Sequence, residues 1–492
     1  MGMSVKAPLF WSTASSVGAQ LVSFVAFAVL ARTLGAETFG LVALAASVVD
    51  LLLILSSAGI ADALVQRATL DEDEAATAFW ANMALGLAFC VLVLALAEPI
   101  ADFYHRPELA PVVRALALVF LLTPLGVMHN ARLTRDMNFR ALAFRNVAAN
   151  VTGAVVGIVM ALMHFGAWAL VGQRLVMATV LAVLAWTATR WVPRLVFRAG
   201  AFMSFLRFGG YLSLSQLFIM LNGRIAELLS GVYFGPGVVA FIRAGGRVID
   251  VLNQLTFAPF HQIAMPMQAR VQHDPVQRNA VYVQLSRMSA LFMFPCFMGV
   301  FALAPPIVEV VFGPGWGGAS DAMRILALAV VPLQVNVLFI AALAAAGRSK
   351  LVLGWSIGQA ALGIALVVAV APWGWEAMLA VNVVRAYLLL PLAMILQRRV
   401  LGVGIMVVLR SVRPAAVSAV AMAAAVGLAD TALTPALSAL LRLVLLVPAG
   451  GAIFFAAYLL QDRSGIAMIR QFVQNRRLPI DPSPADAGST EV

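Results

Sequence analysis

Charge is what this sequence lacks. Of its 492 residues only 11% are Asp, Glu, Lys or Arg, and 62% are hydrophobic. A soluble domain carries roughly 25% charged and 45–50% apolar residues. So little charge cannot clothe a water-soluble surface, which excludes a soluble globular fold and makes lipid the solvent for most of the chain. Cysteine is nearly missing: Cys90 and Cys296 lie far apart in separate apolar runs, suggesting neither a disulfide framework nor a metal site. The five histidines (His105, His129, His164, His261 and His273) fall at no ligand spacing. Polar and apolar residues do not alternate with a period of two, so a transmembrane β-barrel is disfavoured. The net charge of +11 would suggest nucleic acid in a soluble protein. In a membrane protein basic residues collect in cytoplasmic loops instead, and no nucleic-acid partner is expected.

What the chain does contain is apolar runs of about 20 residues, the length that crosses a bilayer as a helix. A helix satisfies its own backbone hydrogen bonds, which lipid cannot do. The hydropathy predicts an all-α membrane protein of about fourteen transmembrane helices. The spans are 10–31, 40–62, 78–97, 112–130, 146–163, 167–188, 209–231, 238–263, 286–304, 322–346, 351–371, 376–396, 412–430 and 437–460. The eighth carries Arg243, Arg247 and Asp250 and stands out least. The first apolar run is long, contains Trp11 and Gln20 and leads straight into another span, so it reads as an uncleaved first helix rather than a signal peptide. With the N-terminus placed in the cytoplasm, 23 Lys and Arg fall on cytoplasmic segments and 4 (Arg32, Arg106, Arg114 and Arg324) on the opposite side. That bias orients the chain as an inner-membrane protein with both termini cytoplasmic.

The chain also repeats itself at an offset near 200 residues. Leu96-Ala97-Glu98-Pro99-Ile100 is echoed by Leu303-Ala304-Pro305-Pro306-Ile307. Arg114-Ala115-Leu116-Ala117-Leu118 is echoed by Arg324-Ile325-Leu326-Ala327-Leu328, and Leu34-Gly35 by Phe234-Gly235. Six spans separate the copies, so both halves keep one orientation, as in transporters built of two parallel lobes with the substrate site between them. The expected organisation is an N-terminal lobe over 1–207 (helices 1–6) and a C-terminal lobe over 208–400 (helices 7–12). Accessory helices 13 and 14 occupy 401–461, and a cytoplasmic tail of disordered composition occupies 462–492.

The stretch Ala31-Arg32-Thr33-Leu34-Gly35-Ala36-Glu37-Thr38-Phe39-Gly40-Leu41 resembles the signature after helix 1 in the polysaccharide-transporter (Wzx-like) family. That family lies within the multidrug/oligosaccharidyl-lipid/polysaccharide flippase superfamily. Gly59-Ile60-Ala61-Asp62-Ala63-Leu64-Val65-Gln66, Phe139-Arg140-Ala141-Leu142-Ala143 and Phe165-Gly166-Ala167-Trp168-Ala169-Leu170-Val171 fit the same pattern. The resemblance runs over most of 10–400, on the side of the lipopolysaccharide, colanic-acid and exopolysaccharide exporters. It implies a V-shaped transporter that moves undecaprenyl-diphosphate-linked oligosaccharide units from the cytoplasmic to the periplasmic leaflet, with helices 13 and 14 accessory. The motifs are short and structural, so they argue for the family more than for any residue's role.

Ionisable groups at membrane depth cost about 2.5–3.5 kcal/mol each on insertion scales and so need a reason. Ten are candidates: Asp50, Asp62, Arg174, Arg224, Glu227, Arg243, Arg247, Asp250, Arg385 and Arg442. Six are arginines and none is lysine. The guanidinium is permanently charged and forked, which suits phosphate. Arg224, Arg247, Arg243, Arg174 and Arg385 are the expected lining of a cationic substrate cavity, set against their use as structural ion pairs. Arg442 and Asp62, near span ends, read as structural. Asp50, Glu227 and Asp250 are the candidates to carry a coupling proton or sodium ion. Asp50 competes with plain pairing to an arginine on a neighbouring helix, and Asp250 is placed to neutralise Arg247. Asn222, Gln216, Gln254, Gln334 and Asn336 offer neutral hydrogen bonds to a sugar or between helices, and Trp316, Trp373 and Trp375 read as interface anchors. The run Asp71-Glu72-Asp73-Glu74 reads as a solvated helix start.

These features point to a flippase or exporter of lipid-linked oligosaccharide for lipopolysaccharide or exopolysaccharide synthesis. The expected partners are the lipid-linked glycan, membrane lipid, H⁺ or Na⁺, and a polymerase with its chain-length regulator. A multidrug antiporter of the same fold would want acids and aromatics in the cavity rather than arginines. A membrane polymerase or ligase needs a large extramembrane catalytic loop, and the longest segments on the periplasmic side, 98–111 and 305–321, are too short for one. An ion channel is disfavoured by the two-lobe repeat. No cofactor is expected, and no catalytic constellation marks the chain as an enzyme.

Overall fold

The computed structural model describes residues 6–57, 59, 60, 64, 71–257, 264, 267, 268, 271, 274–345, 348–402 and 404–462. Asp62 and the tail beyond 462 lie outside the described residues. All regular structure among the described residues is helical. The first half contains α1 (Lys6–Ser57), α2 (Glu72–Phe103), α3 (Leu109–Leu116), α4 (Val119–Arg135), α5 (Phe139–Leu162) and α6 (Trp168–Thr189). The second contains α7 (Ala199–Phe234), α8 (Pro236–Leu252), α9 (Pro275–Ala302), α10 (Ala304–Val311), α11 (Gly317–Ala327), α12 (Val330–Ala345), α13 (Ser349–Val370) and α14 (Trp375–Leu401). Two further helices follow, α15 (Ile405–Leu433) and α16 (Ala439–Gln461).

Eleven helices among the described residues are long and apolar enough to cross a membrane, or twelve if the pair Gly317–Ala327 and Val330–Leu343, bent by 51°, is one span. The sequence reading expects fourteen, and two features account for the difference. The expected first and second spans are counted as one element, α1, although the non-helical backbone of Gly35 divides it into two helices that fold back on each other, with the Phe27 and Phe39 ring centroids 4.9 Å apart. The expected eighth span is α8, which has 17 residues and carries three charges, followed by one π-helical turn over Asn253–Phe257.

Local chemistry sets the helix ends. Asp71 caps α2 by accepting from the Asp73 amide, and Asp274 caps α9 by accepting from the Val276 and Gln277 amides, with Pro275 in the first turn. The acidic run at 71–74 is thus a helix start, but one tied down rather than only solvated. Arg132 pairs with Glu72, and Arg198 with Asp71 and Asp73. The chain is apolar on its outer faces: Leu87, Val91 and Leu94 on α2 and Leu441, Val444 and Leu445 on α16 are exposed, as lipid-facing residues must be. On α16 the buried residues Arg442, Leu446, Gly450, Phe454 and Tyr458 recur every four positions, forming the single stripe that faces the protein.

The repeated motifs take matching shapes. Gly35 (φ 73°, ψ 166°) and Gly235 (φ 84°, ψ −178°) adopt one backbone conformation, open to glycine and strained for other residues. The fourth expected span of each half is broken near one end, between α3 and α4 and between α11 and α12, and Arg114 and Arg324 sit in the last turn of the piece before each break. The halves meet where α1 packs on α7 and α8, and α8 packs in turn on α11. Small residues allow these contacts. A Cβ on Gly40 would lie 1.7 Å from the Pro236 carbonyl oxygen, and one on Gly245 would lie 2.8 Å from the Met323 nitrogen. The last two helices attach separately, α15 along α9 and α16 along α15 and α10.

Candidate functional site: a cationic cavity between the halves

A cavity of about 300 Å³ lies where α1, α5, α6, α7 and α8 meet, and it collects four of the five arginines expected in it. Arg174 enters from α6, Arg224 from α7, and Arg243 and Arg247 from α8. Ser23, Asn150, Gln173, Asp50 and Asp250 complete the polar lining, and Phe27 and Phe39 close one end. Arg243 and Arg247 reach one space because four positions on a helix return to the same face.

Pairing divides these arginines. Glu227 is buried and serves three helices: it accepts from Ser47 Oγ on α1 (2.7 Å), from Arg224 Nη1 one turn back on α7 (3.0 Å) and pairs with Arg243 Nη2 on α8 (2.9 Å). Arg243 also donates to Ser47 Oγ (2.6 Å) and to the Ala43 carbonyl (3.1 Å). Asp50 forms an ion pair with Arg174, so the structural alternative weighed for Asp50 is the arrangement seen. Arg247 is different. It donates to Ser23 Oγ (2.7 Å), its guanidinium lies 5.9 Å from the Phe27 ring centroid, and its Nε is buried without a partner. No carboxylate lies within 4 Å of it among the described residues. Asp250, expected to neutralise it, lines the same cavity and attracts it, though its carboxylate does not come within 4 Å of the guanidinium. The cavity therefore holds one arginine and one carboxylate that attract each other without direct contact.

Arg385 departs from the expectation of a single cationic cavity. It lies on α14 in a separate pocket with Asn222 and Gln359. Arg442 is structural as expected, paired with Asp430 (2.9 Å) across α15 and α16. Trp316 is not an interface anchor. It is 2% exposed and packs against Phe39, Phe241 and Phe312, because the loop that carries it folds inward over the cavity's end. Trp373 is 78% exposed, as an anchor would be. Gln334 donates to Ser286 and Ser289 between α12 and α9, the helix-joining use.

One end of the cavity is sealed and the other continues. Toward Gly35 and Gly235, Phe27, Phe39, Phe312 and Trp316 pack edge to face or tilted, with centroids 4.9–6.0 Å apart. Outside them Arg32 Nη2 donates to the carbonyls of Glu309 (3.2 Å) and Val310 (2.9 Å) in the last turn of α10, adding to the bond that Glu309 accepts from the Gly313 amide. Arg106 pairs with Glu37 (3.2 Å). In the other direction Asp50 and Arg174 are shared with two adjoining cavities of about 390 and 310 Å³, which reach Ser56 and Ser57, and Asn130 and Arg145. Arg145 is buried and escaped the sequence reading, because it falls at the loop edge of its span. Its side chain reaches inward only because α5 packs against α6 and α1.

Residues 29–321 match the model of a family described as Polysaccharide biosynthesis protein. The chain belongs to this family. Among curated relatives, it is 29% identical over 350 residues to the succinoglycan biosynthesis transport protein ExoT of Rhizobium meliloti (strain 1021), covering 71% of each chain. It is 26% identical over 327 residues to the lipopolysaccharide biosynthesis protein WzxC of Escherichia coli (strain K12), covering 64% of this chain and 65% of that one. The fold is similar to that of the lipid II flippase MurJ in an inward closed conformation, with a TM-score of 0.75 over 92% of this chain and 99% of that chain at 10% identity. A MATE-family multidrug transporter in its inward-facing conformation superposes with a TM-score of 0.57 at 16% identity, over 82% of this chain and 96% of that one. At such identities these likenesses speak for the fold alone.

Proposed function

We propose that this protein flips a lipid-linked oligosaccharide from the cytoplasmic to the periplasmic leaflet of the inner membrane, for exopolysaccharide or lipopolysaccharide synthesis. The observation that carries the reading is the arginine excess of the cavity: Arg174, Arg224, Arg243 and Arg247 are set against Asp50, Glu227 and Asp250, and Arg247 is the arginine of the four with no ion pair within 4 Å among the described residues. Burying a charge without a partner is costly, and a diphosphate or acidic sugar would relieve that cost through a bidentate contact. A cationic drug would not. The relative named as a succinoglycan biosynthesis transport protein supports the same reading. In it, 1–207 and 208–400 act as lobes that rock about the cavity, with both termini cytoplasmic. The sealed end faces the periplasm and the connected cavities face the cytoplasm, so the cargo enters from the side where it is made. Of the three acids considered for coupling, Asp50 and Glu227 are held by arginines, and Asp250 is the one left to exchange an ion or proton.

Deleting the gene and locating the lipid-linked units tests this. Single units trapped on the cytoplasmic leaflet, with surface glycan lost, are expected. Units accumulating on the periplasmic leaflet would instead indicate a polymerase or ligase. Arg247→Ala is expected to reduce export at least tenfold while the protein still reaches the membrane, and Arg247→Lys to restore it in part, since a point charge replaces a fork. Unchanged surface glycan in Arg247→Ala would remove Arg247 from the site.

A further inference from the structure

A second polar pocket, of about 170 Å³, lies on the other side of α7 from the central cavity. Asn222 opens onto it, two positions before Arg224, and two residues turn a helix by roughly 200°, so the two side chains face opposite ways. Its other polar groups are Asn336 on α12, Trp355 and Gln359 on α13, and Arg385 on α14.

Arg385 is only 6% exposed. Its Nη1 donates to Asn222 Oδ1 (2.7 Å) and to the Gln359 carbonyl, both neutral acceptors, and its Nε is buried with no partner. No carboxylate pairs with it among the described residues. Gly363 leaves room for this charge: a Cβ there would lie 2.1 Å from Arg385 Nη1, so a larger residue would push the end of the guanidinium out of its place. Asn336 Oδ1 is already occupied by Trp355 Nε1 (2.9 Å) and Gln359 Nε2 (3.3 Å), which leaves the Asn336 amide N–H groups as donors. The pocket thus offers an unneutralised cation, amide donors and an indole. Its volume falls below the roughly 300–1,000 Å³ of pockets for drug-sized ligands, which limits an occupant to about one ring.

We propose that this pocket binds a single sugar ring carrying a carboxylate. Arg385 holds the carboxylate, and Asn222, Asn336 and Trp355 hold the ring. The assignment rests on the glycan-transport reading and adds to it a preference for acidic sugars, located apart from the central arginines. A guanidinium meets a carboxylate bidentately, whereas a neutral sugar would leave the charge unrelieved.

The test uses the purified full-length protein in lipid nanodiscs, titrated by calorimetry and saturation-transfer NMR with methyl β-D-glucuronide, methyl β-D-glucoside and inorganic phosphate. The glucuronide is expected to bind saturably, at least tenfold more tightly than the glucoside or phosphate. Arg385→Gln and Gly363→Ala are each expected to weaken it tenfold or more, and Arg385→Lys and Asn336→Ala less. Particles that remain monodisperse, with unaltered helical circular dichroism, separate lost binding from lost folding, and Asn336→Ala keeps the test open where Arg385→Gln does not fold. Equal glucoside affinity, equal phosphate affinity, undiminished binding in a folded Arg385→Gln variant, or no glucuronide binding would each overturn the proposal. Glucuronide binding that depends on Arg385, in a strain whose deletion leaves its glycan normal, would sink the flippase reading while the pocket stands. Cytoplasmic-leaflet trapping without glucuronide binding would do the reverse.

Discussion

Glu227 shows how much one buried carboxylate can hold. It receives Ser47 from α1 and arginines from α7 and α8, so three helices and both halves converge on two oxygens. Removing one partner of a buried ionic cluster typically costs about 3–5 kcal/mol, because the remaining charges lose their compensation. Glu227→Ala is therefore expected to deplete folded protein from the membrane, measured as the fraction surviving heating in detergent by fluorescence-detected size exclusion. Glu227→Gln keeps the Ser47 contact and should fall between. Heat survival equal to wild type in Glu227→Ala would show that the cluster is not structural. Arg247, with Ser23 and the Phe27 ring but no acid in direct contact, should behave in the opposite way, losing export with little loss of folded protein. At this scale the sequence was half legible. Arginine in place of lysine, and the spacing of Arg243 and Arg247, marked the cationic lining. The pairing of Asp50 with Arg174, 124 positions away, could not be read, because no local pattern encodes which helices will be neighbours.

At the scale of elements, closeness between α1 and α8 depends on what is missing from Gly40. A methyl group there would meet the Pro236 carbonyl oxygen at 1.7 Å, and backbone cannot swing aside as a side chain can. Without a hydrophobic driving force between helices in lipid, such small-residue contacts carry the association. Gly40→Ala is expected to cost about 3 kcal/mol, at the upper end for overpacking. In the same heating assay it should lower the midpoint clearly, whereas Gly18→Ala, whose Cβ would meet nothing within 4 Å, should not. Equal midpoints for the two variants would refute the argument. The element scale also explains the span count. The hydropathy break at Gly35 is a turn between two helices within α1, in the same conformation as the Gly235 turn between α7 and α8. The charges that nearly hide α8 are the ones that face the cavity.

For the whole molecule, the seal is the feature that transport must break. Arg32 reaches from α1 to the last carbonyls of α10, 277 and 278 positions away, outside a cluster of four aromatic rings. A cation at a helix C-terminus interacts favourably with the last-turn carbonyls and the helix dipole. Arg32→Ala is expected to shift the population toward opening on that side. In a chain with Cys90 and Cys296 replaced by Ser, a cysteine at Ala46 in the cavity should label several-fold faster with a membrane-impermeant maleimide added from the periplasm. Unchanged labelling would mean that Arg32 does not hold the closed state. The same reagent tests orientation: a cysteine at Asn138 should react only in inverted vesicles, and one at Phe165 only in intact cells.

The sequence by itself determined that this is a helical membrane protein of the polysaccharide biosynthesis family. Composition dictates the solvent, lipid dictates helices, and short motifs such as Leu34-Gly35 and Phe234-Gly235 repeat with the backbone shapes they require. It also supplied which residues bear charge at membrane depth. Only the tertiary structure decided how those charges are used: Arg174 and Arg243 matched by carboxylates, Arg247 left open to the cavity, Arg385 set apart behind α7, and Trp316 turned inward to close one end. A charge acquires its role from what stands opposite it, and in a chain of packed helices the opposite residue is fixed by contacts hundreds of positions apart rather than by any local pattern.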